Sequence, residues 1–267
     1  MTGTNIVNYR EKLKEQAQEA VRQEQISGGT MLSTRGGVLT YGQETLPGNQ
    51  ACVIILDSVK ENTYYTEEFD PDAPTAPTCY AFGRGPAGED EMGPHESMQV
   101  DLNYFEPQHD NCAGCMWNEW GSADKGKGKA CQNRRRLALI PAGYYEQKRG
   151  SRDLALNLFT DVADFKTSEI AHIKLPVMSV KNYGTYLDQI LTQTQLPAHG
   201  VITRLFLEPD ANSQYKVGFE FIEEVPDNLL EVIMARHEEA VNAPFKGYMP
   251  PDTTRAAKPG RGGFRRA

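Results

Sequence analysis

A chain of 267 residues and 29.8 kDa, 39% of it hydrophobic, has enough apolar material for one large domain or two small ones, which excludes wholesale disorder. Its 28 Lys and Arg against 36 Asp and Glu give a net charge of −8, so affinity for a polyanion must come from a local patch and not from bulk charge. The longest apolar runs, such as Ala51 to Leu56, fall far short of the roughly 20 residues that span a bilayer; no apolar signal core opens the chain, and a soluble, cytoplasmic protein with no membrane partner is expected.

Tyr9, Leu13, Ala17, Ala20 and Val21 recur at three- and four-residue steps between charged residues, which predicts a thin-striped amphipathic helix within residues 1–29, ended by Ser27-Gly28-Gly29. Gly, Ser and Thr dominate from there to residue 50, the composition of a hairpin or irregular strand. Ala51-Cys52-Val53-Ile54-Ile55-Leu56 reads as a strand buried on both faces and central to a sheet. Between Asp57 and Asp110 stand 13 acids, only Lys60 and Arg84 as bases, and six prolines, so little regular structure is expected there. The balance reverses between Lys125 and Arg149, where eight basic residues face the single acid Glu146.

Arg136 to Ile140 reads as a strand stopped by Pro141, and Ile170 to Val180 as another broken at Pro176. Ser179 is a candidate cap for a helix from about 182 to 195. Val201 to Leu207 and Gln214 to Ile222 flank a turn, and Tyr215, Val217, Phe219 and Phe221 alternate strictly, the signature of a hairpin with one buried face. A last helix over about 227–241 groups Leu230, Ile233, Met234 and His237, and the basic tail 246–267 is expected to be disordered. The order predicts an α+β chain on an antiparallel sheet or small barrel with flanking helices, its core domain spanning 30–245 around an irregular insert at about 70–135.

The insert carries four of the five cysteines. Cys112-Ala-Gly-Cys115 has the spacing that turns two thiolates toward one ion; with Cys79 and Cys131 they make a set for a closed, structural tetrahedral zinc site. An iron–sulfur cluster would use the same thiolates, unligated thiols are the plain alternative, and His95 or His109 could replace Cys79. Cys52 is expected to be a buried small hydrophobe, and His172, His199 and His237 to be structural. Phosphate-binding and dinucleotide-binding Gly motifs, HExxH and GxSxG are absent, so no enzyme is indicated.

Residues 112–136, CAGCMWNEWGSADKGKGKACQNRRR, interleave Trp117 and Trp120 with Lys125, Lys127, Lys129, Arg134 and Arg135. Cations neutralise phosphates while aromatic faces, Tyr64 among them, stack on unpaired bases, so this mixture suits a single-stranded nucleic acid. Rings packed over the metal and a merely solvated lysine loop are the structural alternative. The tail element Arg261-Gly262-Gly263-Phe264-Arg265-Arg266 is a further cationic segment of that type.

The CxxC turn, Trp120-Gly121-Ser122, Gly126 to Cys131, Arg135 to Ile140 and Pro77-Thr78-Cys79-Tyr80 together resemble a group of phage and prophage replication-associated proteins akin to single-stranded DNA-binding proteins. The resemblance implies an OB-like barrel with a zinc subdomain, and sequence-independent binding of single-stranded DNA in phage replication or recombination in the cytoplasm of an infected bacterium. The basic C-terminus departs from the acidic recruiting tail common in such proteins. Two other classes stay open: a zinc-containing phage factor that docks on a replication or transcription polymerase, and a metal-dependent nuclease using Asp57, Glu61, Glu67 and Glu68.

Overall fold

In the computed structural model the chain is described for residues 31–42, 44–67, 75–84, 92–100, 104–148, 150–151, 153–211, 213–243 and 247–248. In chain order they form β1 (Met31–Ser33), β2 (Thr40–Tyr41), β3 (Glu44–Thr45), β4 (Gln50–Tyr64), β5 (Cys79–Gly83), β6 (Gln132–Gln147) and β7 (Leu154–Leu158). There follow α1 (Val162–Thr167), β8 (Ala171–Leu175), α2 (Val177–Thr194), β9 (Val201–Asp210), β10 (Gln214–Glu224) and α3 (Asp227–Asn242). The expected helix within residues 1–29 lies outside the described residues. Two units emerge: Met1–Lys60 with Arg134–Pro244, and Glu61–Asn133 with Phe245–Ala267.

The first unit is organised by β4. Ala51, Val53 and Ile55 enter one apolar cluster and Cys52, Ile54 and Leu56 another, as strand alternation requires of a run that is apolar at every position. Tyr183, Tyr186 and Ile190 of α2 complete the first cluster; Phe165 of α1 with Leu229, Val232, Ile233 and Ala240 of α3 complete the second. The sheet is thus covered by helices on both faces.

Its strands run in the order β10-β9-β4-β6-β8-β1-β2-β3, with β5 also on β4 and β7 also on β6. The pairing is mostly antiparallel, but β1 lies parallel to β8. This is an α+β fold on a large mixed sheet, and the sheet is open: the expected OB-like closure is not found. Closure needs the terminal strands to meet, whereas the outer edge of β10 is met by α2. The Val217 N–H donates to Ser179 Oγ at 2.9 Å, and the Val217 carbonyl accepts from Asn182 Nδ2 at 3.0 Å. Ser179, expected as a cap, spends its hydroxyl on the sheet edge; α2 starts earlier, with Pro176 at its N-cap.

Further elements differ from expectation. β6 continues through Pro141 because pairing with β8 ends at Leu139 and pairing with β7 starts at Gly143, so no ladder bond to either strand is asked of the proline. Gly143 is fixed by that second pairing, since a Cβ there would lie 2.4 Å from the Asn157 carbonyl oxygen. On α3 the buried stripe is Leu229, Val232, Ile233 and Ala240, while Leu230 and Met234 face solvent. In the acidic region β4 runs on to Tyr64 and β5 forms. The hairpin of β9 and β10 pairs as expected, from Asp210 with Gln214 to Val201 with Glu224.

His199 and His237 stack at 4.0 Å between ring centroids, and His237 Nδ1 donates to the Leu56 carbonyl at 2.7 Å. Burial, and then the neighbouring His237, hold His199 below its ordinary value of 6.5. A pKa lowered by folding means that the unfolded chain takes up the proton first. Stability is therefore full above the unfolded value and drains as the pH falls from there toward the folded one. The thermal midpoint is expected to drop between about pH 7.5 and 5.5, within the histidine range, and the drop to be smaller in His199→Gln; identical profiles would refute this role for the pair.

Candidate cysteine site and its lysine loop

The second unit has a small core. Tyr80, Met98 and Phe105 are buried, with Ala76, Phe82, Tyr104 and Tyr248 packed around them. So few apolar side chains bury little surface for a segment of this length, and polar bonds carry much of its order.

Backbone bonds position the cysteines. Cys79 opens β5. The Cys112 N–H donates to the Met92 carbonyl at 2.7 Å, the Asn118 N–H to the Cys115 carbonyl at 2.9 Å, and the Cys131 N–H to the Trp117 carbonyl at 2.8 Å. All four thiols, with His109, line one cavity of about 20 Å³, room for about one water-sized atom. His95 is not among the lining residues; its ring stacks on Tyr80 and its Nδ1 bonds Ser97 Oγ at 2.8 Å.

Burial, and then the charge of neighbouring thiolates, push Cys131 up to about 12. Burial likewise raises Cys79 to about 11, against a backbone hydrogen bond from Gln108 that favours its thiolate. Thiols placed like this ionise together only with a cation among them. Among the described residues no three His, Cys, Asp or Glu side chains stand close enough to grip an ion as placed, and none of the five cysteines forms a disulfide. Cys52 sits in the second apolar cluster of the first unit, where burial raises it to about 12.

Asn118 ties the site to its loop. Its Nδ2 donates to the Cys112 carbonyl at 2.8 Å, and its Oδ1 accepts from Lys129 Nζ at 3.2 Å and from Asn133 Nδ2 at 2.9 Å. Asn133 Nδ2 also donates to Asn62 Oδ1 at 2.8 Å. The Gly121 N–H donates to the Gly128 carbonyl at 2.9 Å, which closes the loop and leaves Lys125 and Lys127 exposed near its tip. Nothing in spacing or composition singles out Asn118; only its burial beside the CxxC turn does.

The residues expected to bind nucleic acid are divided. Trp117 stacks on Tyr64 at 4.9 Å and donates Nε1–H to Gln108 Oε1 at 2.9 Å, so each of these two rings has a face occupied. Trp120 is 81% exposed, and Lys129 Nζ lies 5.9 Å from its ring centroid. Met116, also on this stretch, is exposed as well. Arg134 and Arg135 belong to β6 in the first unit, where both are half-buried and have partners, and the charge of Arg135 acts on Tyr183.

A second concavity, about 620 Å³ on the first unit, is lined by Tyr145, Leu156, Arg204, Glu220 and Ile222 among others. Arg204 is committed there, with Nε to Gln50 Oε1 at 2.6 Å and Nη1 to Glu220 Oε2 at 2.7 Å. Sequence patterning gave no sign of this groove.

Comparison with family models, curated proteins and solved structures finds no significant match. Asn118→Ala is expected to cost about 1–3 kcal/mol, the range for leaving buried hydrogen-bond partners unsatisfied. The loss should show in hydrogen exchange as faster opening of residues 104–133 with β4 residues 50–56 unchanged; unchanged exchange in both segments would show that the asparagine network does not hold the loop.

Proposed function

We propose that this chain binds single-stranded DNA without sequence preference, in phage DNA replication or recombination, through the second unit organised by a structural zinc ion. The observation that carries the reading is Trp120, an almost fully exposed ring near exposed Lys125 and Lys127 on a loop tied to four cysteines. An exposed indole costs solvation unless something covers it, and an unpaired base covers one face while adjacent cations meet the phosphates. Lys129, shared between Asn118 and the Trp120 ring, positions the loop more than it offers a free charge.

Zinc is supported by the donor set. Four thiolates satisfy a tetrahedral ion and leave no position for substrate, which fits a scaffold and not a catalyst. A cavity for about one atom suits a single ion better than a multi-iron cluster. Cys79, Cys112, Cys115 and Cys131 would hold the ion, with the Gln108 backbone supporting Cys79 and the Lys129 charge supporting Cys131. An ion there would supply the cross-link that the small core of this unit calls for.

Exposed Met116 beside this loop in sequence supports a second reading, docking of the loop on a replication or transcription polymerase. The two separate on one experiment, with fluorescent oligo-dT and a matched duplex titrated across a salt series after zinc and iron have been quantified. About one zinc per chain and a salt-sensitive preference for the single strand are expected. Trp120→Ala should weaken binding by about 1–3 kcal/mol, and Lys125→Ala with Lys127→Ala should flatten the log–log salt slope by about 0.7 for each phosphate no longer neutralised. Zinc-loaded protein that binds neither DNA at low salt would overturn the reading in favour of docking.

A further inference from the structure

Asn62 stands two residues before the end of β4, so its side chain leaves the strand on the same face as Tyr64, and both line the cysteine cavity. It is only 3% exposed. Its Oδ1 accepts from Asn133 Nδ2 at 2.8 Å, but its own Nδ2 is buried and meets no acceptor among the described residues. A chain of bonds sets the orientation of that amide. Asn118 has to present Nδ2 to the Cys112 carbonyl and Oδ1 to the Lys129 ammonium, which turns Asn133 Nδ2 toward it, and the same Asn133 Nδ2 can be met by Asn62 only with Oδ1. A flipped Asn62 would set donor against donor. The other amides of the lining are spent or wetter: Gln108 Nε2 donates to the Glu106 carbonyl at 2.9 Å, Asn118 Nδ2 is used, and Asn111 is only half-buried.

A buried donor without an acceptor destabilises a fold, and its presence calls for a reason. The cavity supplies one. Four thiolates around a divalent ion carry two net negative charges, and among the described residues no Lys or Arg lines this cavity, so much of that charge has to be met by N–H donors. The Gln108 backbone gives one, to Cys79, and the Lys129 charge acts on Cys131 from beyond the lining. We infer that Asn62 Nδ2 is a built-in donor to a thiolate of the Cys79, Cys112, Cys115 and Cys131 set, which makes Asn62 a positioning residue for the ion. This rests on the proposed reading of the cavity as a zinc site. A thiol accepts a hydrogen bond weakly and a thiolate strongly, so the donor favours the loaded, fully deprotonated set over the metal-free thiols.

The test sets Asn62→Leu, which nearly keeps the shape of the side chain and removes the donor, beside Asn133→Ala, which breaks the same bond between Asn62 and Asn133 but leaves the donor in place. Zinc affinity of the full chain is read by competition with a chromophoric chelator, and cobalt is loaded for its sulfur-to-metal charge-transfer band. Asn62→Leu is expected to bind zinc about 10- to 100-fold more weakly than the unsubstituted chain, the usual effect of losing an outer-shell partner. Its charge-transfer band should move to lower energy, as for a thiolate that has lost a hydrogen bond, while Asn133→Ala leaves the band in place. A second measurement needs neither variant to fold: with an NMR-active cadmium isotope in the unsubstituted chain, the Asn62 side-chain amide protons should show scalar coupling to the metal through sulfur. Equal zinc losses in the two variants with both bands unmoved would reduce Asn62 to a structural partner of Asn133 and overturn the inference, as would resolved Asn62 amide protons with no coupling to cadmium. An unsubstituted chain that takes up neither zinc nor cobalt would overturn the zinc reading itself, and this role of Asn62 with it.

Discussion

Everything in the first unit depends on the burial of β4 from both sides. A strand with apolar side chains at every position cannot tolerate water on either face, so helices must cover both, and α2 on one side with α1 and α3 on the other do so. That demand also decides the topology. A barrel would turn one face of β4 into its lumen, whereas two faces under helices favour an open layer with protected edges, and the bonds from Ser179 and Asn182 to Val217 protect one of them. At this point the structure departs from the barrel that the resemblance suggested.

The second unit answers a different constraint. Acidic and proline-rich over much of its length, it cannot gather a large apolar core, and its order comes from polar bonds that converge on a few backbone groups. Asn118 serves the Cys112 carbonyl, Lys129 and Asn133 at once, and the cysteines surround a space fit for one atom. In such an arrangement the parts that could meet a ligand, Trp120 and the lysine tip, are carried by the parts that hold the loop together.

How much of this was readable in advance follows from how local each signal is. Period-two alternation in Tyr215, Val217, Phe219 and Phe221 and the unbroken run in β4 are local, and both elements stand where expected. Pro141 misled because a proline breaks a strand only where a partner needs its N–H, and partners are non-local. The start of α3 stands where expected, but its buried stripe is Leu229, Val232, Ile233 and Ala240, the face that packs into the second apolar cluster, and that packing is non-local. At the site, the CxxC spacing marked residues that do line one cavity. The arginines after Cys131 were grouped with the lysines before it because proximity in sequence conceals the division between residues 133 and 134. Tyr248, a lone aromatic in a polar tail, has no periodicity to betray it.

The path of the chain has a consequence for how the molecule is made. β4 pairs with β9, so Gln50 waits for Phe206, and in the second unit Tyr80 waits for Tyr248. On a ribosome adding about 5–20 residues per second, neither unit can be completed by its own early residues. A chain stalled between Cys131 and Tyr248 therefore carries the cysteines and the lysine loop without the Tyr248 side chain that packs on their core. Synthesis through that tyrosine thereby becomes a condition for a finished second unit, set by the order in which distant partners meet.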